Sequence, residues 1–74
     1  MARIKKCLDD ACTQFILLDD GRTIAQPKDR CDVKERDPKK YAEQFAEISR
    51  ETTTTIYTSG QLIKDPKPGK KIDI

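Results

Sequence analysis

The chain has 74 residues, 38% of them charged and 35% hydrophobic, with fifteen Lys and Arg against thirteen Asp and Glu for a net charge of +2. That length holds one small domain and excludes a second, and a domain of this size buries only about 60% of the surface its unfolded chain exposes, so stability is marginal. One Val, eight Ile, four Leu and two Phe put the chain at the compositional border of disorder, but the weak net charge permits collapse, and a folded domain with soft ends is expected.

The chain has no His and no Trp. The commonest general base, the Ser-His-Asp and Cys-His arrangements and every zinc site built on imidazole are therefore excluded. No apolar run is long enough to span a bilayer, and Met1-Ala-Arg-Ile-Lys-Lys6 lacks the apolar core of a signal peptide. A soluble, cytoplasmic protein without membrane partners is expected. Cys7, Cys12 and Cys31 are an odd number of thiols without an export signal, which fits reduced intracellular cysteines better than a disulfide framework.

Residues 3–13 fit two elements. Ile4, Cys7, Leu8, Ala11, Cys12 and Phe15 fall at helical spacing. Against a helix, there is no good N-cap, and the i,i+4 pairs Lys5/Asp9 and Lys6/Asp10 run in the weaker orientation. Leu8-Asp9-Asp10-Ala11 also resembles Leu18-Asp19-Asp20-Gly21, which favours Arg3–Cys7 as the first strand of a three-strand meander. The second and third strands carry the clearest local signal: Phe15-Ile-Leu-Leu18, the turn Asp19-Asp-Gly-Arg22, then Thr23-Ile-Ala-Gln26, a hairpin that Pro27 should stop by removing an amide donor.

Residues 27–37 mix both charges with only Cys31 and Val33 apolar and read as a loop. Asp37-Pro38 supplies an N-cap and an N1 proline for a helix over 38–50 with Tyr41, Phe45 and Ile48 as its apolar stripe. Four consecutive threonines should end it and begin a strand over Thr52–Thr58. Ser59-Gly60 can turn the chain into Gln61-Leu-Ile-Lys64, and Asp65-Pro-Lys-Pro-Gly69 can turn it again towards Lys70–Ile74, which reads as a basic tail or the strand of a last hairpin, with Ile72 and Ile74 on one face. The expected fold is α+β: a small antiparallel sheet, with domain body 1–65 and tail 66–74, on which Tyr41, Phe45 and Ile48 pack against Phe15, Leu17, Ile24, Ile56 and Leu62.

Candidate sites are few. Cys7, Cys12 and Cys31 could offer three thiolates to a metal, but their spacing is unusual and a fourth ligand is missing, so small half-buried apolar residues are the simpler reading. Asp9-Asp10 and Asp19-Asp20 are explained by turn chemistry rather than catalysis. No catalytic residue and no cofactor are assigned. Bases cluster at Arg3, Lys5 and Lys6, and at Lys28, Arg30, Lys34 and Arg36 with Lys39 and Lys40 beyond. A third group is Lys64, Lys67, Lys70 and Lys71. Acids interleave the middle group, so a solvated mixed-charge surface competes with phosphate binding. The threonine strand, through Thr53, Thr55 and Tyr57, is the candidate for pairing with another chain, a partner's sheet or a second copy. The leading expectation is a non-enzymatic protein-binding module, an adaptor or inhibitor of the kind phages and mobile elements encode, which covers a surface on a larger partner. The alternative is a nucleic-acid-binding regulator using the basic loop 28–40 and the C-terminal lysines.

Overall fold

The computed structural model describes residues 2–10, 12–28, 31, 37–59 and 63–72. Among them, β1 (Ala2–Asp9), β2 (Thr13–Leu18), β3 (Arg22–Pro27), α1 (Pro38–Glu51), β4 (Thr54–Tyr57) and β5 (Lys71–Ile72) form an α+β fold with one sheet in the order β4-β3-β2-β1-β5. β1 to β3 are the expected antiparallel meander, and residues 3–9 are strand, not helix. The sheet is mixed rather than purely antiparallel, because β4 runs parallel to β3. The intervening helix is the physical reason: a helical crossover lets β4 re-enter in the direction of β3.

Both hairpin turns of the meander use aspartate. Asp10 N–H donates to Thr13 O at the first. At the second, Gly21 takes φ +92°, and its amide donates to Leu18 O. The positive φ favours glycine at this position, and a Cβ there would also crowd the Thr53 hydroxyl, meeting Oγ1 at 3.0 Å. Asp20 Oδ1 accepts the Arg22 amide at 3.0 Å, and Oδ2 pairs with Arg22 Nε at 2.5 Å. The Arg22 amide, foremost, and the Arg22 side chain hold the Asp20 carboxyl below its ordinary range. β3 pairs one residue further than expected: Pro27 is opposite Thr13 at the strand end, where a missing donor is tolerated.

Asp37 caps α1 as expected, its Oδ1 accepting Lys39 N–H at 3.0 Å, with Pro38 in the first turn. The helix ends at Glu51 because Thr52 turns extended while its amide still donates to Ile48 O at 2.9 Å. Thr52 and Thr53 are thus a cap and a connection, and β4 is shorter than the expected 52–58 strand.

Leu8, Leu17 and Ile48 form a cluster under α1 with Phe15 packed against it. The larger cluster, Ala2, Ile4, Ile16, Leu18, Ile24 and Ile63, lies on the opposite face with Cys7 and Ile72 beside it. Phe15-Ile-Leu-Leu18 therefore feeds both faces. The expected core is corrected at two places. Phe45 is 55% exposed and Tyr41 only half-buried, leaving Ile48 as the buried residue of the helix. Ile24 belongs to the face away from α1, and Ile56, its register partner on β4, shares that face by alternation. A register irregularity between Ile4 and Lys6 inserts Lys5 as a bulge residue, which switches β1 from one face to the other. Ile4 thereby joins Leu18 on the far face, whereas Lys6 and Leu8 join Leu17 and Phe15 under the helix.

The far face is covered by residues 63–70, a strap held by a buried amide. Gln26, fully buried, donates from Nε2 to Ile63 O at 2.9 Å and to Gln14 Oε1 at 2.8 Å, and its Oε1 accepts Ile63 N–H at 3.2 Å. Further along, Cys7 Sγ donates to Pro66 O, Gly69 N–H to Ile4 O, and Ile4 N–H to Lys70 O. The strap then enters β5, which pairs with β1 and not with a strand at 61–64 as the expected last hairpin required. Gly60, Gln61, Leu62 and Ile74, assigned to turn, strand and core from the sequence, lie outside the described residues.

Two consequences are testable. Gln26→Ala removes both partners of the buried Ile63 peptide groups and is expected to lower unfolding free energy by about 3 kcal/mol, read as a fall in denaturant midpoint with loss of amide protection at Ile63. Because the folded-state pKa of Asp20 is lowered, its contribution is present above the ordinary carboxylate pKa and is lost as pH falls through the folded value. Asp20→Ala should accordingly lower the thermal midpoint at neutral pH and leave a shallower loss on acidification than the parent shows.

Candidate docking site at the sheet edge

β4 is one edge of the sheet. Thr54 N–H donates to Gly21 O in the turn before β3 and Thr58 N–H to Ala25 O on it, and the alternation of a parallel ladder turns the Thr55 and Tyr57 peptide groups away from the sheet. Thr53 is different. Its amide and hydroxyl both donate to Gly21 O, at 2.7 and 3.2 Å, so it anchors the strand's entry and offers no free edge amide. Of the three residues assigned to this surface, two present themselves outward and one is committed inward.

Thr52 through Ser59 contain no charged residue in a chain that is 38% charged. Beside the strand, a groove of about 170 Å³ opens between β4 and α1, lined by Phe15, Phe45, Ile48, Thr52, Thr55 and Tyr57 among others. Tyr41 and Gln44 border a separate depression on the helix, with Asp10 in its lining, that is too tight to admit a water. Tyr57 is 80% exposed, and it and Phe45 are the exposed large hydrophobics of the described residues. Tyr41 and Phe45 stack at 6.2 Å between ring centroids. Thr23 and Thr52 hydroxyls share a hydrogen bond at 2.5 Å at the groove's base, joining the end of α1 to β3. The lining beside β4 carries hydroxyls and aromatic rings but no carboxylate, amine, guanidinium or thiol. Such a wall can bury an apolar side chain and hydrogen-bond an extended backbone. Phe45 was assigned to the core from its spacing, and its part in the groove has no separate signal in the sequence.

The opposite edge is built otherwise. β5 is two residues long and follows Pro66, Pro68 and Lys70. Arg3 and Lys71 are cross-strand partners there, two like charges set opposite one another, and Lys67 and Lys70 are exposed nearby. Lys5 and Lys6 are occupied instead by Glu51 at 3.3 Å and Glu47 at 2.7 Å, contacts that tie α1 over β1. Of the basic loop, Arg30, Lys34 and Arg36 lie outside the described residues, while Lys28 continues the hairpin by donating its amide to Cys12 O. The fold thus brings Arg3 to the C-terminal lysines, a neighbour absent from the sequence-based set.

The thiol reading is corrected. Cys12 and Cys31 are joined by a disulfide with Cα atoms 4.3 Å apart, tying the β1–β2 turn to the loop before α1. Reduced thiols throughout are not what the fold holds, and with two of three cysteines bonded the weak metal alternative at Cys7, Cys12 and Cys31 loses its ligands. No group of three potential metal ligands occurs among the described residues. The hairpin register carried the missing signal: Thr13 opposite Pro27 brings Cys12 level with Lys28, three positions from Cys31. Cys7 is free and half-buried, and burial, then the Asp9 charge, push its thiol up, so it stays protonated at neutral pH. No helix among the described residues is long and apolar enough to cross a membrane.

With a sequence separation of 19, the Cys12–Cys31 bond should contribute about 3 kcal/mol through loop closure. Replacing both residues by Ser is expected to lower the guanidinium midpoint accordingly. Thiol titration of the unfolded, unreduced chain should find one reactive group and find three after reduction; three before reduction would show that the bond does not form.

No protein-family model, curated protein or solved structure matches this chain.

Proposed function

We propose that this chain is a non-enzymatic protein-binding module, an adaptor or inhibitor that covers a surface on a larger protein by taking one of its extended segments against β4. One observation carries the reading: β4 is an uncharged sheet edge with outward peptide groups, and the exposed aromatics Phe45 and Tyr57 border the groove beside it. Strand addition satisfies the backbone groups of Thr55 and Tyr57, and the groove takes a side chain of the added segment. Long natural edges are normally blunted by Lys, Pro or a bulge, and an edge without these devices is suited to pairing. The inhibitor role and a phage-type origin rest on small size and composition alone. A cytoplasmic location, proposed with them, requires the fold to tolerate reduction of the Cys12–Cys31 bond, since disulfides persist chiefly in oxidising compartments.

A second reading is favoured by a specific placement. Arg3 and Lys71 face each other across β1 and β5, with Lys67 and Lys70 close in the chain, so the bases gather at the edge opposite β4. The Asp19 carboxylate, which accepts the Arg3 amide at 3.1 Å, offsets part of this charge, and the remaining bases suit a phosphate backbone and predict affinity that falls with salt.

A photo-crosslinking side chain placed in turn at positions 57 and 71 tests both readings in cells. The first expects a discrete protein adduct from position 57 that is absent from position 71. Nucleic-acid adducts from position 71, lost at raised salt in extracts, would replace it with the second, and protein adducts equal at both positions would overturn it.

A further inference from the structure

We infer that, without a bound partner, β4 is sealed by β4 of a second copy of this chain, in an antiparallel pair about a two-fold axis at Ile56. The inference rests on the reading of β4 as the interaction surface and adds what occupies it in the isolated protein.

The two edges of the sheet differ in ways that bear directly on self-association. β5 is short, follows two prolines and Lys70 and carries Lys71, and a second copy approaching it would set Arg3 and Lys71 against the same charges. These are the devices that prevent edge pairing. β4, although only four residues long, lacks the others: from Thr52 to Ser59 there is no Lys, Pro or acid, and β4 pairs with β3 in unbroken register. An uncharged strand meets its own copy without like-charge repulsion, whereas nothing in it selects a charged partner. A self-complementary patch is what a two-fold interface requires.

The hydrogen-bonding row dictates the register. Since Thr55 and Tyr57 present the outward peptide groups, Thr55 of one copy and Tyr57 of the other exchange both N–H···O bonds, and symmetry repeats the exchange. Ile56 then faces its own symmetry mate at the intervening non-hydrogen-bonded position. The exposed Tyr57 ring comes to lie beside Thr55 of the other copy, on the face that carries Phe45. The pair therefore covers the exposed aromatics and satisfies the edge in one contact.

Sedimentation equilibrium of the parent protein over a series reaching millimolar concentration is expected to show the mass rising from 8.5 kDa towards twice that value. Tyr57→Pro should remain at the single-chain mass with an unchanged circular dichroism spectrum, because the lost donor points away from β3. To read the register, cysteine is placed at position 56 in a Cys7→Ser background. Non-hydrogen-bonded antiparallel partners have Cα atoms about 4.5 Å apart, within disulfide reach, so Ile56→Cys should be trapped as a covalent dimer at least tenfold faster than Ser59→Cys. A parent that stays at 8.5 kDa throughout, a dimer that survives Tyr57→Pro, or equal trapping at 56 and 59 would each overturn the inference. The two readings fail separately: a monomeric parent that still gives the foreign-protein adduct from position 57 removes only the dimer, and a dimer whose position-57 adducts contain only this chain removes the larger partner.

Discussion

The structure depends on the buried amide of Gln26. A single helix can cover only one face of the sheet, yet β2 presents apolar side chains to both, Phe15 and Leu17 on one side and Ile16 and Leu18 on the other. The second face is closed by an irregular segment with no ladder of its own in this stretch, and such a segment stays in a protein interior only if its peptide groups find partners. Gln26 acts as a replacement peptide unit for Ile63, accepting its N–H and donating to its carbonyl while Gln14 takes the remaining proton. No described buried side-chain nitrogen or oxygen is left without a partner. This exchange anchors the start of the cover over Ile4, Ile16 and Ile24, and the bonds of Cys7 to Pro66 and of Ile4 to Gly69 and Lys70 carry the chain on to β5.

A second constraint is the bulge at Lys5. Without it, Ile4, Lys6 and Leu8 would share one face, and Ile4 could not join the far cluster while Leu8 stays under the helix. The extra residue puts Ile4 with the strap and Leu8 with the helix, and leaves Lys6 at the helix margin where Glu47 meets it. Exposed pairs of this kind contribute little stability each. Their effect here is placement: with Lys5–Glu51 they bring the C-terminal half of α1 over β1, so the far side of the helix, with Phe45, borders open space beside β4. The groove is the part of the helix face that one short helix, seated over β1 and β2, does not cover.

Charge follows the same division. Bases collect at the β5 edge, ion pairs occupy the helix margin, and the threonine segment is left neutral. A net charge of +2 hides this arrangement, since it sums a basic edge, a mixed helix surface and an uncharged edge.

The sequence by itself determined the local elements. The Asp-Gly turn between two β-compatible runs, the Asp37-Pro38 helix start and the threonine stop are read from short-range chemistry, and each is where that chemistry requires. The repeated Leu-Asp-Asp segment was enough to favour strand over helix for residues 3–9. Tertiary structure alone decided the direction of β4, the face on which each apolar residue lies, the strap, and the meeting of Cys12 with Cys31. The edge candidate was legible as a threonine-rich run, but not the inward commitment of Thr53 or the exposure of Phe45. The physical reason is range. Turns, caps and propensity act over a few residues, whereas a one-residue bulge inverts every later side chain in its strand, and a buried glutamine finds its partner 37 positions away.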